Sequence, residues 1–276
     1  VGNSAVTTVT ANKLINCLIR DQYFYGIYNL YQNGTVISGC TLERPNRTTL
    51  STFYGIYIST GDINMLVEKN RIRNPFGTSP TNTSSAYCIY DVVAATAGNQ
   101  NKIINNLISD INSLGTIYGI YMSGASYNKV FHNTISLDQT SASSNTNVTY
   151  GIYCSGTAGD SIKNNSVSIT RGGTGTRYGI YITSATGVSC DYNNIYVSAA
   201  TGTSYVGYYN AGFTTLTTWK TANSNAWDQH SVSANPSFAN PSLNDYTPTS
   251  TLLNNAGTPE NVTTDLIGTA RSATTP

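Results

Sequence analysis

Charged residues are scarce in this chain. They make up 10% of its 276 residues, and the formal net charge is +1. A nucleic-acid partner needs a concentrated basic face, so that class of function is excluded. Long apolar runs are missing too. No stretch of ~18 apolar residues occurs, so no membrane insertion is expected. Cysteine is sparse, and its count of five is odd, so at least one thiol is unpaired within the chain. There is no Cys-x-x-Cys and no Cys/His cluster, so neither a zinc site nor any other metal or cofactor is expected. No window carries a sustained i, i+3, i+4 apolar stripe, which excludes an amphipathic helical architecture.

What is abundant is Ser, Thr, Asn, Gly and Tyr, with Lys and Glu rare. This composition fits a secreted β protein better than a cytosolic helical one. Tyr, Ile and Val recur too regularly for a disordered chain. Val1 begins directly in repeat-like sequence with no apolar signal core, so the chain reads as a mature or excised part of something larger.

The segment Tyr-Gly-Ile-Tyr occurs five times, and two degenerate copies make seven. The copies are Tyr25–Tyr28, Tyr54–Tyr57, Tyr87–Tyr90, Tyr118–Tyr121, Tyr150–Tyr153, Tyr178–Tyr181 and Val206–Tyr209, spaced by 28 to 33 residues. Self-similarity at this period is the signature of a solenoid. Each copy has an upstream companion, and Asn12–Asp21 and Asn101–Asp110 are nearly identical. Aligned, the companions give a column of Cys17, Cys40, Asn70, Asn106, Asn133, Asn165 and Asn193. Two residues later lies an apolar column from Ile19 to Ile195, and three residues earlier another from Leu14 to Cys190. Apolar and polar residues alternate over short runs, and β-branched residues and Tyr are enriched, which is strand character.

Coils of about 30 residues with two or three short strands, stacked on identical coils, make a parallel β-helix. At a strand separation of ~4.8 Å, seven coils give a rod of roughly 34 Å. Asn is expected at a tight turn, because it tolerates left-handed backbone and its amides hydrogen-bond along a stack. Cys17 and Cys40 occupy that column in the first two coils, as a disulfide or as two small buried thiols. Length variation is confined to one side of the rod, at about 44–53, 74–86, 111–117, 138–149, 170–177 and 198–204. Insertions on one face mark either a binding face or loops that tolerate them. The organisation is therefore coils over 1–210 and a cap over 211–276 continuous with the same domain. Phe213, Leu216 and Trp219 fall on one short helical turn suited to covering the last coil.

These features resemble the right-handed parallel β-helix proteins of the pectate-lyase-like superfamily. The tail segments Asn235-Pro-Ser-Phe238, Asp245-Tyr246, Asn255-Ala-Gly-Thr-Pro259 and 263–271 resemble the closing segment of large bacterial surface proteins, often exported by the type IX secretion system. The resemblance implies the fold, an extracellular or cell-surface setting, and neighbouring modules in the same polypeptide. It leaves lyase, hydrolase, binding and spacer roles open.

The residues themselves offer little chemistry. A calcium-dependent lyase needs gathered carboxylates. Here the ten Asp are spread about one per coil, and Asp21 and Asp110 share a column three coils apart. There is no Asp-Asp, Asn-Thr-Asp or Gly-His-Gly of a polygalacturonase-like site. His132 and His230 are isolated, with no evident nucleophile and orienting acid. The densest charge, Glu43, Arg44, Arg47, Glu68, Lys69, Arg71 and Arg73, forms either a site for an acidic polysaccharide or a solvated face of weak ion pairs.

The tyrosines are the stronger candidate. Alternation puts Ile27 and its equivalents inward, so Tyr28, Tyr57, Tyr90, Tyr121, Tyr153, Tyr181 and Tyr209 face outward, with the Gly column as open floor on the same face. Such a strip binds sugar rings or simply stabilises the stack. The sequence thus points to an all-β, right-handed parallel β-helix of about seven coils. Its expected function is a non-catalytic adhesion or spacer module that meets a polysaccharide, a cell-surface glycan or another partner. The alternatives are a polysaccharide lyase or glycoside hydrolase with an atypical site at Glu43, Arg44, Glu68, Arg71 and Arg73, and a purely structural stalk.

Overall fold

The computed structural model describes residues 8–77, 79, 81–139, 145–156 and 158–276. Three parallel sheets run the length of a β-solenoid. The first sheet stacks seven strands from Lys13–Ile15 to Ser189–Asp191, and the second stacks seven from Leu18–Arg20 to Asn194–Val197. The third, the tyrosine sheet, stacks seven parallel strands from Tyr25–Asn29 to Ser204–Tyr209, and Ala211–Phe213 adds an eighth, antiparallel, at its end. Seven rungs enclose about six turns. Long-range pairing is in register throughout, so equivalent residues of successive repeats fall opposite each other.

Register alone builds the core. Ile37, Val67, Ile103, Val130, Ile162 and Cys190 are buried from the first sheet, and Leu42, Ile72, Ile108, Ile135, Val167 and Ile195 from the second. Ile27, Ile56, Ile89, Ile120, Ile152 and Ile180 close the triangle from the tyrosine sheet. The apolar columns expected from the sequence are the inner walls of the rod.

The asparagine column lies at the turn between the first two sheets and is fully inward. Each Oδ1 accepts the backbone N–H of the preceding rung: Cys40 to Asn70 at 2.9 Å, Asn106 to Asn133 at 3.0 Å, and Asn165 to Asn193 at 3.0 Å. Each Nδ2 donates to a carbonyl of the preceding rung and to the next Oδ1, as Asn133 does to Ile103 and Asn165. The left-handed residue is not the column residue but the one before it: Asn16, Gly39, Lys69, Asn105, His132, Asn164 and Tyr192 all have φ between 52° and 68°. The column Asn is there for its amide, and the position before it makes the corner. Cys17 and Cys40 are both free thiols, Cys17 exposed and Cys40 buried.

The variable stretches all join the second sheet to the tyrosine sheet. Positions 78, 80 and 140–144 within them lie outside the described residues. Three buried arginines hold five of these loops. Arg44 donates to the carbonyls of Pro75, Tyr23 and Ser51 and sits 5.0 Å from the ring centres of both Phe53 and Phe76. Arg171 donates to Ser113 and Gly115 carbonyls, and Arg177 to those of Arg171, Gly173, Gly175 and Thr201.

The last rung is closed by 211–234. Thr215 caps a single helical turn, Leu216–Trp219, and Trp219 and Trp227 are fully buried. Phe213 is not on that turn: it lies in the antiparallel strand and meets Trp219 edge to face at 5.5 Å. Asp228 and Ser231 stand in for the missing next asparagine, taking the Asn193 side chain at 3.0 Å and its N–H at 2.7 Å. Residues 235–276 do not cover the end. They run back along the outside of the asparagine corner, tied by Lys163–Glu260, by Asn164 to Thr258, and by Lys69 and Asn105 to Thr264.

Candidate functional site

The tyrosine sheet carries two tyrosine columns, not one. The burial pattern along Phe53–Ile58 puts Phe53, Gly55, Ile56 and Ile58 inside and leaves Tyr54 and Tyr57 both outside. Strict alternation would have sent the first Tyr inward and the Gly outward. The chain instead turns two successive residues, Gly and Ile, to the core. A Cβ on Gly151 would lie 2.4 Å from Val167 Cγ1 and 2.6 Å from the Gly179 carbonyl oxygen, so only glycine fits there. The expected open floor beside each ring does not exist, because the glycines face inward against the second sheet.

One column is Tyr25, Tyr54, Tyr87, Tyr118, Tyr150, Tyr178 and Tyr205, which the sequence reading passed over although every Tyr-Gly-Ile-Tyr begins with it. The other is Tyr28, Tyr57, Tyr90, Tyr121, Tyr153, Tyr181 and Tyr208. The last repeat is shifted by one from the expected alignment, so Tyr208 takes the outer position, 4.3 Å from Tyr181 with planes 1° apart. Tyr209 leaves the column and packs on Trp227 at 5.1 Å.

In the first column, ring centres from Tyr54 to Tyr205 are 4.7–5.3 Å apart with planes within 13° of parallel. Parallel rings this close overlap face to face, in the offset geometry that aromatic quadrupoles favour, at ~0.5–1.5 kcal/mol per pair. The ring faces are therefore spent on one another, and solvent meets ring edges and phenol hydroxyls. The second column is less regular: it turns edge to face between Tyr121 and Tyr153, at 74°. Only Tyr25 and Tyr28, on the first rung, reach 38% and 36% exposure. Burial, then the neighbouring phenols, pushes Tyr54 and Tyr181 up to about 12, and pushes Tyr118 and Tyr150 up as well. The phenols raised in this way are neutral at physiological pH, and the face presents hydroxyls that donate and accept.

The charged patch is dispersed. Arg44 is buried inside its loop with no exposure. Glu43 is held between Arg20 at 2.9 Å and Arg73 at 3.0 Å, with both oxygens engaged. Glu68 is on the first sheet and accepts from Ser38 at 3.2 Å. Arg71 and Arg73 share the outer face of the second sheet, with Ile72 inward between them. Glu43 and Arg73 do border a polar groove of about 420 Å³ together with Asp110, Asp138 and Tyr246. Burial raises Asp110, and the neighbouring Asp138 raises it further. Burial also raises Asp138. The register that pairs Leu107 with Thr134 sets these acids on neighbouring rungs, but they lie four and five residues past Asn106 and Asn133, so they share no column of the repeat.

His132 is buried at a left-handed corner, its pKa lowered to about 3 by burial and then by Arg271, and its Nε2 meets the Asn164 amide. His230 stacks on Tyr192 and pairs with Asp191 at 2.7 Å. Among the described residues, neither ring is hydrogen-bonded to a Ser, Thr or Cys side chain. No group of three or more His, Cys, Asp or Glu among the described residues is placed to hold a metal ion. Among the described residues, no helix is long and apolar enough to cross a membrane. No protein-family model, curated protein or solved structure matches the chain.

Proposed function

We propose that the chain is a non-catalytic adhesion or spacer module of an extracellular bacterial surface protein, of the pectate-lyase-like kind and exported by a type IX-like route. Its tyrosine face meets a glycan, and the variable loops flank that face. The observation that carries this reading is the double column of fourteen in-register tyrosines. Neutral phenol hydroxyls repeated at the strand spacing suit a partner that itself repeats hydroxyl groups. Because the ring faces are occupied, contact is through hydroxyls and ring edges. Retention of the protein on immobilised polysaccharide is the test. Replacing Tyr121 and Tyr153 with Ser abolishes retention in a folded protein, while the Phe pair keeps the stacking and loses most of the retention. Unchanged retention in a folded Ser variant sinks the reading.

A second reading rests on the Asp110–Asp138 groove. Two carboxyls with raised pKa beside Arg73 are the equipment of a glycoside hydrolase. The ion-paired Glu43 weighs against it, since an acid with both oxygens held is a poor proton carrier.

A further inference from the structure

The returning tail does not lie flush on the rod. Between it and the asparagine corner is a half-enclosed groove of about 600 Å³, in the size range of small-molecule sites. Its floor is the outer side of the second sheet, including Arg71, Leu107 and Thr134, and its roof includes Tyr246, Leu253 and Leu266. Most polar groups around it are already satisfied by the protein. Asn164 exchanges two hydrogen bonds with Thr258 and meets His132. Asp245 accepts the Thr247 N–H, and Asp265 accepts those of Ile267 and Thr269.

Arg71 is different. Its side chain takes part in none of the ion pairs and none of the side-chain hydrogen bonds among the described residues, while its backbone N–H donates to the Cys40 carbonyl at 2.8 Å. Its guanidinium is half-buried, and burial followed by the nearby Arg73 lowers its pKa, so its charge is poorly solvated and uncompensated. The Arg271 Nε, in the same groove, is buried without a partner. A saccharide needs many free donors and acceptors, and most of those around this groove are engaged by the protein. An apolar body with one anionic head uses what is free.

We propose that the groove binds an amphipathic carboxylate, with its head on Arg71 and its apolar stem along Leu253 and Leu266 under the tail. The site is separate from the tyrosine face and does not depend on its role. Titration calorimetry of the whole chain with decanoate, with decanol as the uncharged match, tests it. Decanoate binds one to one, and decanol binds at least ten-fold more weakly. Arg71→Gln, which changes an outward-facing side chain and keeps the melting temperature, weakens decanoate at least ten-fold. The Tyr121→Ser/Tyr153→Ser protein binds decanoate like the parent. Absence of decanoate binding, equal affinity for decanol, or full affinity in folded Arg71→Gln each overturns the proposal.

Discussion

At the residue scale, the molecule depends on a few side chains whose hydrogen-bonding capacity is fully used out of water. Asn133 accepts the N–H and the amide of Asn106 and donates to Ile103 and Asn165. Asn133→Ala strips the buried Asn106 N–H of its acceptor and takes a donor from the Ile103 carbonyl and from the Asn165 Oδ1, which keeps only the backbone N–H of residue 133. At ~1–3 kcal/mol for each unsatisfied buried group, the expected loss is on the order of 3 kcal/mol, read from urea unfolding. A loss below about 1 kcal/mol would mean the ladder is decorative. The buried arginines also spend most of their donors on the protein, the Arg171 Nε excepted. Burial lowers Arg44 to about 10 and Arg171 to about 9, which leaves both charged at neutral pH and donating to loop carbonyls. Sequence reading placed Arg44 in a surface strip because Arg is seldom fully buried. Nothing in Glu43-Arg44-Pro45 distinguishes an arginine that points inward from one that points out.

At the element scale, the turn from the tyrosine sheet to the first sheet carries its own buried acids. Burial raises Asp62 to about 6, Asp91 to about 7 and Asp160 to about 6. Each holds its proton more tightly folded than in the unfolded chain, where a carboxyl titrates near ~3.9. Their contribution is therefore complete below pH ~4 and is lost as pH rises through 6 to 7. His132 acts the other way: its lowered pKa costs stability as pH falls from ~6.5 toward 3. Three acids outweigh one histidine, so the melting temperature is expected to fall between pH 5 and pH 8. The Asp91→Asn protein should show the largest flattening of that slope. A melting temperature that rises across the same range would contradict the assignment.

The same scale shows what the sequence could reveal. The strands, the apolar columns and the asparagine column are written in a repeat that pairs with itself in register. The tyrosine strand was half legible. Period-two alternation places Tyr28 and Tyr57 correctly, but it fails at Gly26-Ile27 and Gly55-Ile56, where two neighbours turn inward. The one-residue shift that puts Tyr208 in place of Tyr209 was hidden because Val206-Gly-Tyr-Tyr209 matches the motif only loosely.

At the scale of the whole molecule, the chain is a rod with one closed end, two spent aromatic columns on one wall and a tail strapped along another corner. The tail's path was not legible, because its anchors are side-chain contacts across 94 or more residues, such as Asn164 to Thr258 and Asn105 to Arg271. Neither was the groove beneath it, which exists only because the tail returns. We propose that this scaffold presents a face and performs no turnover. The direct measurement is a long incubation of the purified chain with a panel of neutral and acidic polysaccharides, counting new chain ends. None is expected above the protein-free blank. New ends that disappear in Asp110→Asn, Asp138→Asn or Glu43→Gln would contradict it and make the polar groove an active site.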